Sequence, residues 1–184
     1  MDVLRSSRTL FRAALGALAL ILGSRSASAQ GASEYQVKGA YLFKFGDYVE
    51  WPPGALPPSG GPFTIGILGQ DPFGHGLDGI VQGRTVQGRR VVLRRLYRVE
   101  QAEGVQVLFI GPGQADRGAQ ILAALRGKSI LTVADDGQGP GSILTFVLQD
   151  NKVRFAIDAG AAERAGLKLS SKLLSLALAV KRSN

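Results

Sequence analysis

No cysteine occurs anywhere in the 184 residues. Disulfides, thiol redox chemistry, thiolate-held zinc and iron–sulfur clusters are therefore excluded together. Histidine is almost as scarce: His75 is the only one, so no H-x-x-H pair can form, and the carboxylates show no EF-hand spacing. The apolar run near the N-terminus, Ala13 to Gly23, is too short for a bilayer-spanning helix, which needs about 20 residues. Aromatics interleaved with basic residues are missing as well. Arg84, Arg89, Arg90, Arg94, Arg95 and Arg98 have only Tyr97 near them, which reads as a solvated basic face and argues against nucleic acid as a partner.

What is present begins with an export signal. Arg5, Arg8 and Arg12 form a positive segment, Ala13 to Gly23 an apolar one, and Ala27-Ser28-Ala29 an A-x-A cleavage site, in the order of a secretory signal peptide. The expected organisation is thus residues 1–29 as a signal peptide and residues 30–184 as one domain, placed in the periplasm. The leader holds four arginines and one aspartate, so the formal charge falls from +8 to +5 on cleavage. A mature chain of 155 residues can bury about 70% of its unfolded surface, enough for one core without disulfides.

The pattern of the mature chain predicts an α/β fold. Tyr35 to Trp51 places Val37, Tyr41, Phe45, Tyr48 and Val49 at helical spacing and ends at Pro52 and Pro53. Four apolar runs follow: Phe63 to Leu68, Val91 to Leu96, Val105 to Ile110 and Ile130 to Ala134. Leu77 to Val81 and Ala119 to Leu125 read as helices between them, the second closed by Gly127. Strands apolar on both faces and separated by helices imply a mostly parallel sheet flanked by helices. Ile143 to Leu148 and Val153 to Ile157 then read as a hairpin, giving the sheet an antiparallel end. Asp158 is placed to cap a short helix closed by Gly166, and Ser170 to cap a last helix reaching about Arg182. That last helix has almost no polar face.

Three stretches imitate catalytic motifs. Gly74, Gly76 and Gly79 spell G-x-G-x-x-G, the form of a dinucleotide loop, but Gln70 to Phe73 separate the first glycine from the strand. Where a ribose-binding acid belongs, the chain has Arg94 and Arg95. A turn into a helix explains these glycines, with His75 as a surface or capping residue. Asp135 and Asp136 end a strand ahead of GQGPG and read as a solvated turn. Ser170, Ser171 and Lys172 suggest a serine/lysine dyad, yet a helix N-cap accounts for Ser170 and the S-x-x-K register is missing. No nucleophile, base and orienting group can be assembled, so the expectation is a non-enzyme without cofactor or metal.

Five motifs in order, VKGAYLFKFGDYVEWP, IGILGQDPFG, ILTVADD, ILTFVLQDNKVRFAID and AAERAGLKLSSKLLSLA, run from Val37 to Val180. Over that length the chain resembles the YfiR family of small exported bacterial proteins. The resemblance implies a periplasmic, non-catalytic regulator that binds the periplasmic sensor portion of an inner-membrane diguanylate cyclase, keeping cyclic di-GMP and biofilm formation low. It also implies a capacity to form homodimers. The absence of cysteine means that redox-controlled release does not carry over. The alternative is a periplasmic small-ligand sensor serving another membrane signalling or receptor protein.

Surplus apolar surface marks an interface, and the chain has it twice. The first helix holds Tyr35, Tyr41, Phe43, Phe45, Tyr48 and Trp51, and the last segment is rich in leucine. The expected partner-binding surface is therefore Glu163 to Leu178, with Glu163, Lys168, Ser171 and Lys172 around an apolar centre that includes Leu174. Phe45 and Trp51 form a second candidate patch.

Overall fold

The computed structural model describes residues 34–139 and 141–182, so the expected signal peptide lies outside it. The chain divides into Met1–Tyr35 and Gln36–Asn184, and the fold below is that of the second unit. Residues 36–45 are helical (α1). Then come β1 (Val49–Glu50), β2 (Phe63–Leu68), α2 (His75–Val81), β3 (Thr85–Val86), β4 (Arg89–Leu96), β5 (Val107–Ile110), α3 (Gly118–Ala124) and β6 (Leu131–Asp135). The chain ends with β7 (Leu144–Gln149), β8 (Lys152–Asp158), α4 (Ala159–Arg164), β9 (Lys168–Leu169), α5 (Ser171–Leu176) and β10 (Ala179–Lys181).

Among the described residues the main sheet has the order β10-β8-β7-β6-β5-β2-β4-β3, and β1 and β9 form a separate two-stranded ribbon. Pairing is parallel from β4 through β2, β5 and β6 to β7, and antiparallel in the β7/β8 hairpin and the β3/β4 pair. This is the mixed, mostly parallel α/β sheet expected from the alternating apolar runs. The hairpin turn uses Asp150 and Asn151 with φ of 49° and 56°, a left-handed pair that short polar side chains tolerate. Asp158 accepts from the backbone N–H of Ala161 and Ser170 from that of Leu173, as N-caps should.

Each sheet face has its own core. Leu68, Leu96, Leu108, Ile110, Ile121, Leu125, Ile130 and Ala134 pack together beneath α3. The opposite face is aromatic: Phe45 of α1 lies 5.8 Å from Phe146 and 5.1 Å from Phe155, and Phe73 lies 4.8 Å from Phe109. Strand alternation sends neighbouring residues of β5 and β6 to the two cores. That is why both strands are buried throughout.

The first helix is shorter than its periodicity predicts. It stops at residue 45, passes through a 3-10 turn at Gly46–Tyr48 and becomes strand. A Cβ on Gly46 would come within 2.7 Å of Val86 Cγ1 and 2.8 Å of Phe63 Cζ. Nearby, the Gln87 amide donates to the carbonyls of Gly46 and Val49 at 2.9 and 2.8 Å. A distant side chain thus satisfies carbonyls that further helix would have used. Val49 is then free to pair with Leu169.

The last helix is also shorter than expected and ends at Leu176 rather than near Arg182. Ala177 is extended, Leu178 N–H donates to Phe155 O at 2.8 Å, and Ala179–Lys181 pairs in parallel with Ala156–Asp158. A short apolar run has no periodicity to separate strand from helix. Here the open edge of β8 supplies the hydrogen bonds.

Candidate docking groove

The pairing of β1 with β9, together with a bond from Ser170 N–H to Tyr48 O at 2.9 Å, lays the C-terminal segment beside α1. An apolar groove of about 360 Å³ runs between them, lined by Val37, Tyr41, Lys44, Tyr48, Phe155, Leu173 and Leu176 among others. Its floor is rigid. Tyr41 stacks on Phe45 with ring centroids 5.6 Å apart and meets Phe155 edge-on at 5.8 Å. Its walls are open: Val37 is 44% and Leu176 56% exposed. Two ammonium groups stand at the rim. Lys172 Nζ sits 5.5 Å over the Tyr48 ring, and Lys44 Nζ sits 5.3 Å over Phe43 and 3.8 Å from Asp47 Oδ2. An apolar centre on a fixed aromatic floor with charge at its edge is the form of a protein-binding surface.

The residues expected to bind a partner divide in position. Glu163, Lys168, Ser171 and Lys172 are exposed and Leu174 is half-buried, so the C-terminal set does lie at the surface. Phe45 does not. It is 1% exposed and packs in the aromatic core, so it contributes only to the bottom of the groove. Trp51 is half-buried, edge-on to Phe63 at 5.4 Å, with its indole N–H donating to Ser129 O at 3.2 Å. The groove instead brings Val37, Tyr41, Tyr48 and Leu176 to the surface. Helical spacing alone places Val37 on the buried side, and the structure reverses this: Lys38, not Val37, points inward.

The imitation motifs resolve into structure. In the glycine-rich loop, Asp71 Oδ1 accepts from the N–H groups of Phe73 and Gly74 at 2.8 and 3.1 Å. Arg95 clamps the loop from β4. Its Nε meets Asp71 Oδ2 at 2.8 Å, and its Nη2 meets Asp78 Oδ2 at 2.7 Å and Gly74 O at 3.1 Å. The side-chain bond from Arg95 holds the Asp78 carboxyl below its usual range, and the two carboxylates raise the guanidinium of Arg95. Arg94 donates to the carbonyls of Glu103 and Gln101 at 2.9 and 2.8 Å. Both arginines that stand where a ribose-binding acid belongs are thus engaged by groups of the fold itself. At the C-terminal ends of β2 and β5, Gly111 packs so tightly on the Gln70 carbonyl that a Cβ has no room. His75 is exposed at the start of α2, with Nδ1 3.9 Å from Asp78.

Asp135 differs from its expected role. Asp136 is in a solvated turn, but Asp135 is 9% exposed and pairs at 2.7 Å with the Nζ of Lys38, itself 5% exposed. The pair fastens α1 to the end of β6. Burying both charges together is the condition under which either is tolerated. Among the described residues no group of three or more His, Asp or Glu residues is placed to hold a metal ion. No helix among them is long and apolar enough to cross a membrane.

The family model described as YfiR/HmsC-like matches residues 35–178 of the chain. That span contains both walls of the groove, the glycine-rich loop and the Lys38–Asp135 pair. No curated protein matches the chain.

Proposed function

The chain belongs to the YfiR/HmsC-like family, and from that membership we propose that it is a periplasmic, non-catalytic regulator. In this reading it binds the periplasmic portion of an inner-membrane signalling protein, a diguanylate cyclase, and holds that enzyme inactive. The observation that carries the reading is the groove between α1 and α5, because it joins two segments distant in sequence into one apolar surface. A helix or strand of the partner would place apolar side chains against Val37, Tyr41 and Leu176, and acidic ones near Lys44 and Lys172. Full burial of one such side chain is worth about 1.5–3 kcal/mol, so two or three anchors suffice for a reversible complex. Cyclic di-GMP then rises when the complex is released.

The test places a photo-crosslinking amino acid at position 176 in the native bacterium and, separately, at position 82, just after α2. Light-induced capture at 176 alone of a membrane protein with a periplasmic portion and a cyclase domain supports the proposal. Capture of an outer-membrane receptor, or equal capture at both positions, refutes it.

A further inference from the structure

On the sheet face opposite the groove, α3 and α4 leave a second pocket, of about 600 Å³. Its position follows from strand alternation: Thr132 and Ile143 line it, while Leu131, Val133 and Leu144 turn to the aromatic side. The walls divide by chemistry. Leu122, Ile130 and Ile143 supply an apolar interior, whereas the charged residues on the lining are Arg126, Lys128 and Arg164. Among the described residues no carboxylate lines it. The carbonyls at the end of α3, which would repel an anion, are engaged: Ile121 and Leu122 accept from Leu125 N–H, Ala123 from Arg126 N–H, and Leu125 from Lys128 N–H.

We propose that this pocket binds a small anionic amphiphile, one carboxylate or phosphate head on a hydrocarbon body. The head meets Arg126, Lys128 and Arg164 through charge-assisted hydrogen bonds, and the body covers Leu122 and Ile143. The volume lies within the range of small-molecule sites, which are mostly apolar with a few placed polar groups. A neutral hydrocarbon would forgo the charged contacts, and a hydrophilic anion would leave the apolar interior wet. The site is separate from the groove, yet α4 lines the pocket and α5 lines the groove, with only β9 between them.

The protein carries its own reporter. Trp51 is the single tryptophan, and its indole donates to Ser129 O, between the pocket residues Lys128 and Ile130. Sub-micellar dodecanoate and dodecyl phosphate, titrated into the purified mature chain, should each shift Trp51 emission saturably and give one site by calorimetry. Dodecanol, dodecyltrimethylammonium and inorganic phosphate should bind at least about tenfold more weakly, the loss expected when a charged or apolar half of the contact is removed. R126Q/R164Q should weaken dodecanoate binding by about tenfold or more, with K128Q as the single surface change if the double variant melts early. Leu122→Glu should abolish it. Equal binding of dodecanol, undiminished affinity in the neutralised variants, or no saturation overturns the proposal. So does association with anionic vesicles in the absence of any free dodecanoate binding, which would mean a membrane-facing patch. None of these arms involves the protein partner, so their failure leaves the docking reading to its own test.

Discussion

Replacing Lys38 by Met removes the ammonium from the most deeply buried charged contact described in the fold. The wild-type Nζ lies 2.7 Å from Asp135 Oδ1, and the two side chains are only 6% and 12% exposed. Deleting one partner of such a pair strands the other charge where water reaches it poorly, at a cost of about 3–5 kcal/mol. The residual exposure of Asp135 argues for the lower end, about 3 kcal/mol. For a domain of this size each kcal/mol lowers the melting temperature by about 2–4 °C, so K38M should melt about 6–12 °C early. The decisive variant is the double replacement K38M/D135L, which swaps ions for apolar volume and should recover most of the loss. Thermal and urea unfolding of the three proteins at neutral pH measures this. If K38M costs less than about 0.5 kcal/mol, or the double variant falls further than K38M, the pair does not fasten α1 and the account of how the groove is held in shape is wrong.

Gly46→Ala should lose about 1–3 kcal/mol by urea denaturation, because the added methyl meets Val86 Cγ1 at 2.7 Å and Phe63 Cζ at 2.8 Å; an unchanged midpoint would show that the α1 turn is loosely packed. Arg95→Gln should lower stability at pH 7 by at most about 1 kcal/mol, since the clamp is well exposed. Because the Arg95 bond holds the folded Asp78 carboxyl below the usual carboxylate range, the contribution is present at neutral pH and fades as pH falls through the folded value. Wild-type and R95Q melting curves should therefore converge in acid, and a constant gap would contradict the assignment. Mass spectrometry of periplasmic extract should give a mature chain starting at Gln30, whereas a retained Met1 in soluble material would remove the export reading.

The parallel sheet was legible because β2, β5 and β6 are apolar on both faces and their breaks are marked by glycine and polar residues. The caps at Asp158 and Ser170 were legible for the same local reason: a side chain satisfies an N–H three residues away. Tertiary signals were not. Only Gln87, 38 residues from Val49, shows why α1 stops where it does. Only the free edge of β8 shows why LALAV leaves the helix. Lys38 and Val37 exchange sides for a related reason: a lysine reads as surface until the carboxylate that buries it is known. The groove followed from sequence in its parts, an aromatic first helix and an apolar last segment, but their union depends on a two-residue ribbon, β1 with β9, that carries no pattern of its own.

If the protein represses its partner through the α1/α5 groove, Leu176→Glu should abolish repression. Leu176 is 56% exposed, so the change should leave folding within about 0.5 kcal/mol of wild type while placing a buried carboxylate in any complex formed there. Cyclic di-GMP is measured in the native bacterium with its chromosomal gene deleted and then supplied with either form at equal periplasmic level. Wild type should restore a low cyclic di-GMP concentration and L176E should leave it high. Repression by L176E equal to wild type would place the repressing surface outside the groove.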